Sequence, residues 1–158
     1  MSNVLEIWIA PVAGQPMVSR EIVQAIAGEG LEGDRYRSAG SWSRDDGKPD
    51  QELTLIEIEQ LEWFEKETGQ VLPPSMTRRN ILTRGISLNE LVGSRIRIGG
   101  VELEGMRLCE PCKTLQERTG LPVLPALVHR AGLNCRIIKT GEIRVGDAIE
   151  PMNGDRGS

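Results

Sequence analysis

Two cysteines three residues apart stand in the stretch Arg107-Leu108-Cys109-Glu110-Pro111-Cys112. Proline at 111 stops a helix from extending backwards, so Cys112 falls where the next helix should open. Backbone N–H groups at a helix start favour a thiolate, and Arg107 and Lys113 add positive charge. A thiolate there can ligate a soft metal, accept sulfur or do redox chemistry. Rival readings stand beside this one. Buried cysteines often serve as small apolar side chains, and Cys135, inside an apolar run, suits that role. A thioredoxin-like dithiol would lie after the first strand of a βαβ unit, whereas this pair comes late in the chain. Zinc could be held by the pair with His129 and Cys135, although the spacing matches no common two-knuckle pattern.

A second group is Thr77-Arg78-Arg79-Asn80. Guanidinium groups present several donors in one plane and suit phosphate, and an asparagine offers a donor and an acceptor to a heterocycle edge. Solvated loop charges are the plainer reading. Gly33-Asp34-Arg35 is a tight turn with opposite charges side by side. His129 is the sole histidine and can serve as a base or as an ordinary structural residue. No G-x-G-x-x-G, Walker loop, G-x-S-x-G or H-E-x-x-H occurs, so those nucleotide and hydrolase sites gain no support.

The elements that must position these residues read mostly as strands. Residues 4–10 form a first strand, and residues 18–27 a second strand or a short helix. Residues 37–50 are polar and rich in breakers, as a long surface loop would be. Thr54 and Glu57 match a capping box, predicting a helix over 57–68 with Ile58, Leu61 and Phe64 or Trp63 buried and Gly69 as its stop. Residues 80–83 make a short strand and 87–92 one helical turn. Residues 95–98 and 101–104 flank Gly99-Gly100 as a hairpin, with Ile96, Ile98, Val101 and Leu103 inward. Residues 112–119 and 123–130 read as short helices. Residues 135–139 and 142–149 form a last strand pair joined at Thr140-Gly141. Short strands with distant pairing and few helices predict a mainly β fold, a barrel or sandwich with peripheral helices.

Composition agrees. The 158 residues suit one domain over 1–158 with its core in about 4–150. Only 3% are aromatic, so Ile, Leu and Val must fill the interior, and 18 Gly and 9 Pro favour turns. No apolar run is long enough for a membrane span, and no basic-then-apolar leader opens the chain, so a cytoplasmic protein without membrane contact is expected. Structural disulfides are not expected there. Net charge is −4, yet residues 1–75 carry −8 and residues 76–145 carry +6. A basic centre in an acidic chain fits a small anionic ligand better than nucleic acid.

Taken together, GLEGDRY (30–36), ELTLIE (52–57), RRNILTRGISLNELVGSRIRIGGVELEG (78–105), LCEPC (108–112), HRAGLNCRI (129–137) and GEIRVGDAI (141–149) resemble the MOSC domains, named for the C-terminal domain of molybdenum cofactor sulfurases. The resemblance implies a β-barrel and binding or sulfuration of the molybdenum cofactor, molybdopterin. It puts the metal-ligating or sulfur-handling role on Cys112, not Cys109. It implies pterin contacts from Arg78 and Asn80, with Thr54 at a similar pterin-side position, and a phosphate contact from Arg35. The related mitochondrial amidoxime-reducing enzymes carry a further N-terminal β-barrel domain that this chain lacks. No desulfurase domain or iron–sulfur motif is present either, so a separate electron donor or cysteine desulfurase is implied. Bacterial relatives imply small N-hydroxylated bases as substrates, and a carrier of persulfide or cofactor without turnover is the alternative.

Overall fold

The structure is a computed structural model that describes residues 2–12, 15–34, 52–111 and 113–152. Eleven strands are described: β1 (Asn3–Ile9), β2 (Val18–Arg20), β3 (Ile22–Ile26), β4 (Gly30–Leu31), β5 (Leu53–Glu57), β6 (Ile81–Arg84), β7 (Arg95–Ile98), β8 (Val101–Leu108), β9 (Leu133–Lys139), β10 (Gly141–Arg144) and β11 (Ile149–Pro151). Three α-helices accompany them: α1 (Ile58–Thr68), α2 (Lys113–Thr119) and α3 (Val123–Ala126). None of the described helices is long and apolar enough to cross a membrane.

Eight strands form one sheet in the order β11-β7-β8-β9-β5-β6-β1-β2, and β10-β3-β4 form a second. The fold is therefore mainly β with a few short helices, as the sequence implied. Closure into a barrel was also expected, but among the described residues no continuous ladder joins the ends of the large sheet. A short seam takes its place. Asn3 bridges Ala148, the Val4 N–H donates to the Asp147 carbonyl at 2.9 Å, and the Gly146 N–H donates to the Val4 carbonyl at 2.8 Å. Beyond this seam β1 spends its outer edge on β2, from Ile7 to Ile9.

The alternation of side chains sorts the strand residues into two cores. One cluster collects Ile7, Leu53, Leu55, Ile81, Ile96, Ile98, Val101, Leu103, Leu133 and Cys135, and it also takes Val23, Ala25 and Ile143 from the second sheet. The other gathers Ile56 and Leu82 from the opposite face of β5 and β6. Leu61 and Phe64 of α1, Leu115 of α2, Val123 of α3, and Leu127 and Ala131 complete it. The large sheet is thus wedged between an inner core and a helical cover, and its strands carry apolar residues on both faces.

Two local expectations gave way to tertiary pairing. Thr54 and Glu57 do not form a capping box. All five residues of β5 are buried between β6 and β9, and Glu57 precedes α1 with no side-chain cap bond. The pairing of β5 outweighs the local capping preference. The other correction concerns the end of the chain. β10 does not pair with β9 across Thr140-Gly141. Both edges of β9 are already occupied by β8 and β5, so β10 crosses to β3. Gly141 permits the crossing, because a Cβ there would run into the Gly100 carbonyl.

Glu52 ties the two sheets together. Its Oε1 accepts the Ile137 N–H at 2.9 Å and the Gly28 N–H at 3.2 Å, while its buried Oε2 has no partner among the described residues. Burial pushes its pKa above 4.5, opposed by the two backbone donors and by Arg136. A raised carboxyl pKa makes the charged form the costly one in the fold. Its contribution is therefore most favourable below about pH 4.5 and is lost as pH rises through the raised value. Glu52→Gln keeps an acceptor for both N–H groups and cannot ionise. Thermal unfolding across pH should show the variant near wild type at pH 4 and more stable by a few degrees at pH 7.

Candidate functional site

The turn before β6 gathers residues from four distant parts of the chain. Asn80 is fully buried, and its side chain uses every hydrogen-bonding position an amide has. Its Oδ1 accepts the Thr54 backbone N–H at 3.0 Å and the Thr54 hydroxyl at 3.1 Å. Its Nδ2 donates to the Trp8 carbonyl at 3.0 Å and to Asp34 Oδ1 at 3.3 Å. The Asn80 N–H returns to Thr54 Oγ1 at 2.9 Å, and Asp34 Oδ1 also accepts the Ala10 N–H at 2.8 Å. One side chain thereby joins β1, the GLEGD turn, β5 and the entry to β6.

The two residues before Asn80 point to different tasks. Arg78 has a φ of +64°, in the left-handed region, where a non-glycine residue is strained. It donates to the Gln15 carbonyl. With Arg118 and Thr119 of α2, and with Pro16, Met17, Ser75 and Met76, it lines a groove of about 410 Å³. Arg79 turns the other way. Its Nε donates to the Ala131 carbonyl at 2.8 Å and its Nη2 to the Glu110 carbonyl at 3.4 Å. Arg79 therefore staples the LCEPC loop to the approach of β9. His129, the second described non-glycine residue with positive φ, braces the same loop. Its N–H donates to Glu110 Oε1 at 2.8 Å, its Nδ1 lies 2.7 Å from Glu110 Oε2, and its carbonyl accepts Asn89 Nδ2 at 2.7 Å.

The thiols are unequal. Cys109 and Cys135 are both buried and free. Burial raises the Cys109 pKa, countered by Arg79 and reinforced by Glu110. Burial raises that of Cys135 well above the usual thiol range, with Cys109 adding to it. Burial therefore favours the protonated thiol over the reactive thiolate at both positions. Cys135 behaves as the small apolar residue its sequence suggested. Among the described residues no three His, Cys, Asp or Glu side chains converge on a point where a metal could sit. The exposed His129 ring faces Glu110.

Of the residues singled out from sequence, Thr54 and Asn80 come together with Asp34 beside them, whereas Arg78, two residues before Asn80, lines the separate groove. Cys112 and Arg35 lie outside the described residues. Cys112 occupies the position between Pro111 and Lys113, the first residue of α2. Sequence reasoning missed Asn134. It is buried in β9 directly opposite Thr54 on one side and Arg107 on the other. Its Oδ1 has no hydrogen-bond partner among the described residues. Nothing in an apolar run such as LNCRII marks that residue before its strand neighbours are known.

Residues 43–150 match the MOSC domain family, and the chain belongs to it. Several solved structures share its fold. The YUAD protein from Bacillus subtilis superimposes with a TM-score of 0.79 at 20% identity, covering 96% of each chain. YiiM from Geobacillus stearothermophilus gives 0.71 at 15% identity over 99% of this chain and 78% of that one. YiiM from Escherichia coli gives 0.70 at 17% identity over 96% and 70%. No curated protein sequence matches the chain.

Two substitutions separate the scaffold from the groove. Asn80→Leu strips partners from Thr54, Trp8 and Asp34 inside the protein, and urea unfolding should show a loss of about 3 kcal/mol or more. Arg78→Gly removes a guanidinium but relieves a left-handed backbone, and stability should stay within about 1 kcal/mol of wild type.

Proposed function

We propose that the protein binds the molybdenum cofactor through Cys112 and reduces small N-hydroxylated bases, with electrons from a separate donor. The observation that carries this reading is the convergence on Asn80. Three segments of the MOSC resemblance, GLEGDRY, ELTLIE and RRN, meet there in one hydrogen-bonded cluster. Arg79 ties the LCEPC loop to the same corner.

The residues present fit the cofactor. It carries a phosphate and a pterin rich in N–H and C=O groups. The groove edged by Arg78 and Arg118 offers two guanidinium groups suited to a phosphate, and its Met17 and Met76 offer adaptable apolar walls. When bound, the molybdenum group supplies the two-electron chemistry that takes R–NHOH, with two electrons and two protons, to R–NH2 and water. The protein's own part is to hold and orient. Cys112 provides the thiolate ligand, and Arg35 and Arg78 provide positive charge at the phosphate end. Thr54 and Asn80, given by the resemblance as pterin contacts, have their side chains engaged with each other. In this reading they act by position, fixing the backbone that turns Arg78 outward and Arg79 inward. The strain held at Arg78 supports that assignment, since a left-handed arginine persists only where its surroundings hold it.

Cysteine substitutions test the proposal. Cys112→Ser should abolish bound molybdenum and reduction of an N-hydroxylated purine by the reconstituted electron-transfer system. Cys109→Ser, replacing a buried thiol, should retain more than half of both. Full molybdenum and full activity in Cys112→Ser would overturn the reading. A persulfide appearing on Cys112 after incubation with a cysteine desulfurase, without any molybdenum, would establish the carrier instead. Equal loss of metal and stability in both variants would indicate a structural zinc site.

A further inference from the structure

Away from the Arg78 groove, the first strands enclose a second hollow of about 290 Å³. Three irregularities open it. β1 bulges between Val4 and Glu6, where its register with β6 shifts. A bulge bends its strand and re-aims the side chains beside it. The chain then turns from β2 into β3 at Glu21. Just past β10, the Val145 N–H donates to the Glu21 carbonyl at 2.9 Å and brings a third segment against that corner.

The walls are of two kinds. Leu5, Trp8 and Val145 are apolar, and Glu6 and Glu21 bring carboxylates beside them. Trp8 is held from both ends. Its backbone N–H donates to the Asn80 carbonyl at 2.6 Å, and its own carbonyl accepts Asn80 Nδ2 at 3.0 Å. Its indole Nε1 donates to Glu6 Oε1 at 2.9 Å, which fixes the ring and leaves the second oxygen of Glu6 for another donor. Glu21 is exposed at the corner. Arg20 also edges the hollow, with its Nη1 3.5 Å from the Ser19 carbonyl. Two carboxylates against one guanidinium give the lining a formal net charge of −1, which disfavours an anionic guest.

We propose that this hollow binds a small organic cation, a protonated amine carried on a single ring, seated on the Trp8 indole between Glu6 and Glu21. The face of an indole carries negative potential and attracts a cation, more strongly where water is excluded. Ionised carboxylates accept charge-assisted hydrogen bonds from the N–H groups of such a guest. The volume suits a one-ring molecule, at the small end of ligand sites. The hollow shares no lining residue with the Arg78 groove, so it stands whether or not a cofactor occupies that groove.

Calorimetric titration of the full chain with benzylammonium chloride at neutral pH tests the site, with benzyl alcohol as a neutral probe of similar shape. The wild type should bind benzylammonium saturably, one per chain, and benzyl alcohol at least about tenfold more weakly. Glu21→Gln, an exposed substitution, should keep the wild-type thermal midpoint and lose at least about tenfold in benzylammonium affinity. Trp8→Phe should retain part of the affinity that Trp8→Leu loses, since a phenyl face still attracts a cation. Absence of saturable binding by about 10 mM overturns the proposal. Equal affinity for the alcohol also overturns it, because the hollow would then be apolar space alone. Wild-type affinity in folded Glu21→Gln overturns it as well. All of these titrations are read on cofactor-free protein, so their failure leaves the molybdenum reading standing.

Discussion

The amide of Asn80 sits where four chain segments must agree, and the rest of the molecule is arranged around keeping it dry and satisfied. Its four side-chain bonds fix β1 to β5 through a residue that belongs to neither. In the low dielectric of the interior such bonds are strong when all are made, and costly when one is lost. A corner built this way has one arrangement. Asp34 cannot drift from Ala10, nor Thr54 from the start of β6, without leaving a donor or acceptor stranded.

That rigidity is what lets neighbouring residues do unfavourable things. Arg78 holds a left-handed backbone and reaches the groove, while Arg79, one residue on, crosses to Ala131 and Glu110. Two adjacent arginines with opposite duties need a turn that does not relax. Gly132, just before β9, meets the same demand, with a φ of +113° and a Cβ position that the Leu55 carbonyl already fills. The LCEPC loop is then secured by Arg79, by the Cys109–Gly132 backbone bond and by the Glu110–His129 pair. Positioning of this kind is the protein's contribution when a cofactor carries the difficult chemistry.

The sequence was most legible where short-range rules decide the outcome. The Gly99-Gly100 hairpin appeared as β7 and β8 with Ile96, Ile98, Val101 and Leu103 all buried, and Gly69 closed α1 with a left-handed cap. It was least legible where long-range pairing overrules them. Thr54 looked like a helix cap because its true partner, Asn80, lies 26 residues away. β9 and β10 looked like a hairpin because nothing local says that both edges of β9 are taken. Asn80 was legible as a polar residue of interest, but not its burial. Asn134, in a strand that otherwise reads as apolar, became visible only through its register with Thr54 and Arg107. The pairing of His129 with Glu110 likewise depends on a loop geometry that spacing does not encode.

The claim on which the account turns is that this fold holds molybdenum on a pterin. The direct measurement is metal content by plasma mass spectrometry, on wild-type protein purified from cells competent to make the cofactor. The account predicts molybdenum approaching one atom per chain. Molybdenum at background, with about one zinc per chain in its place, would contradict it.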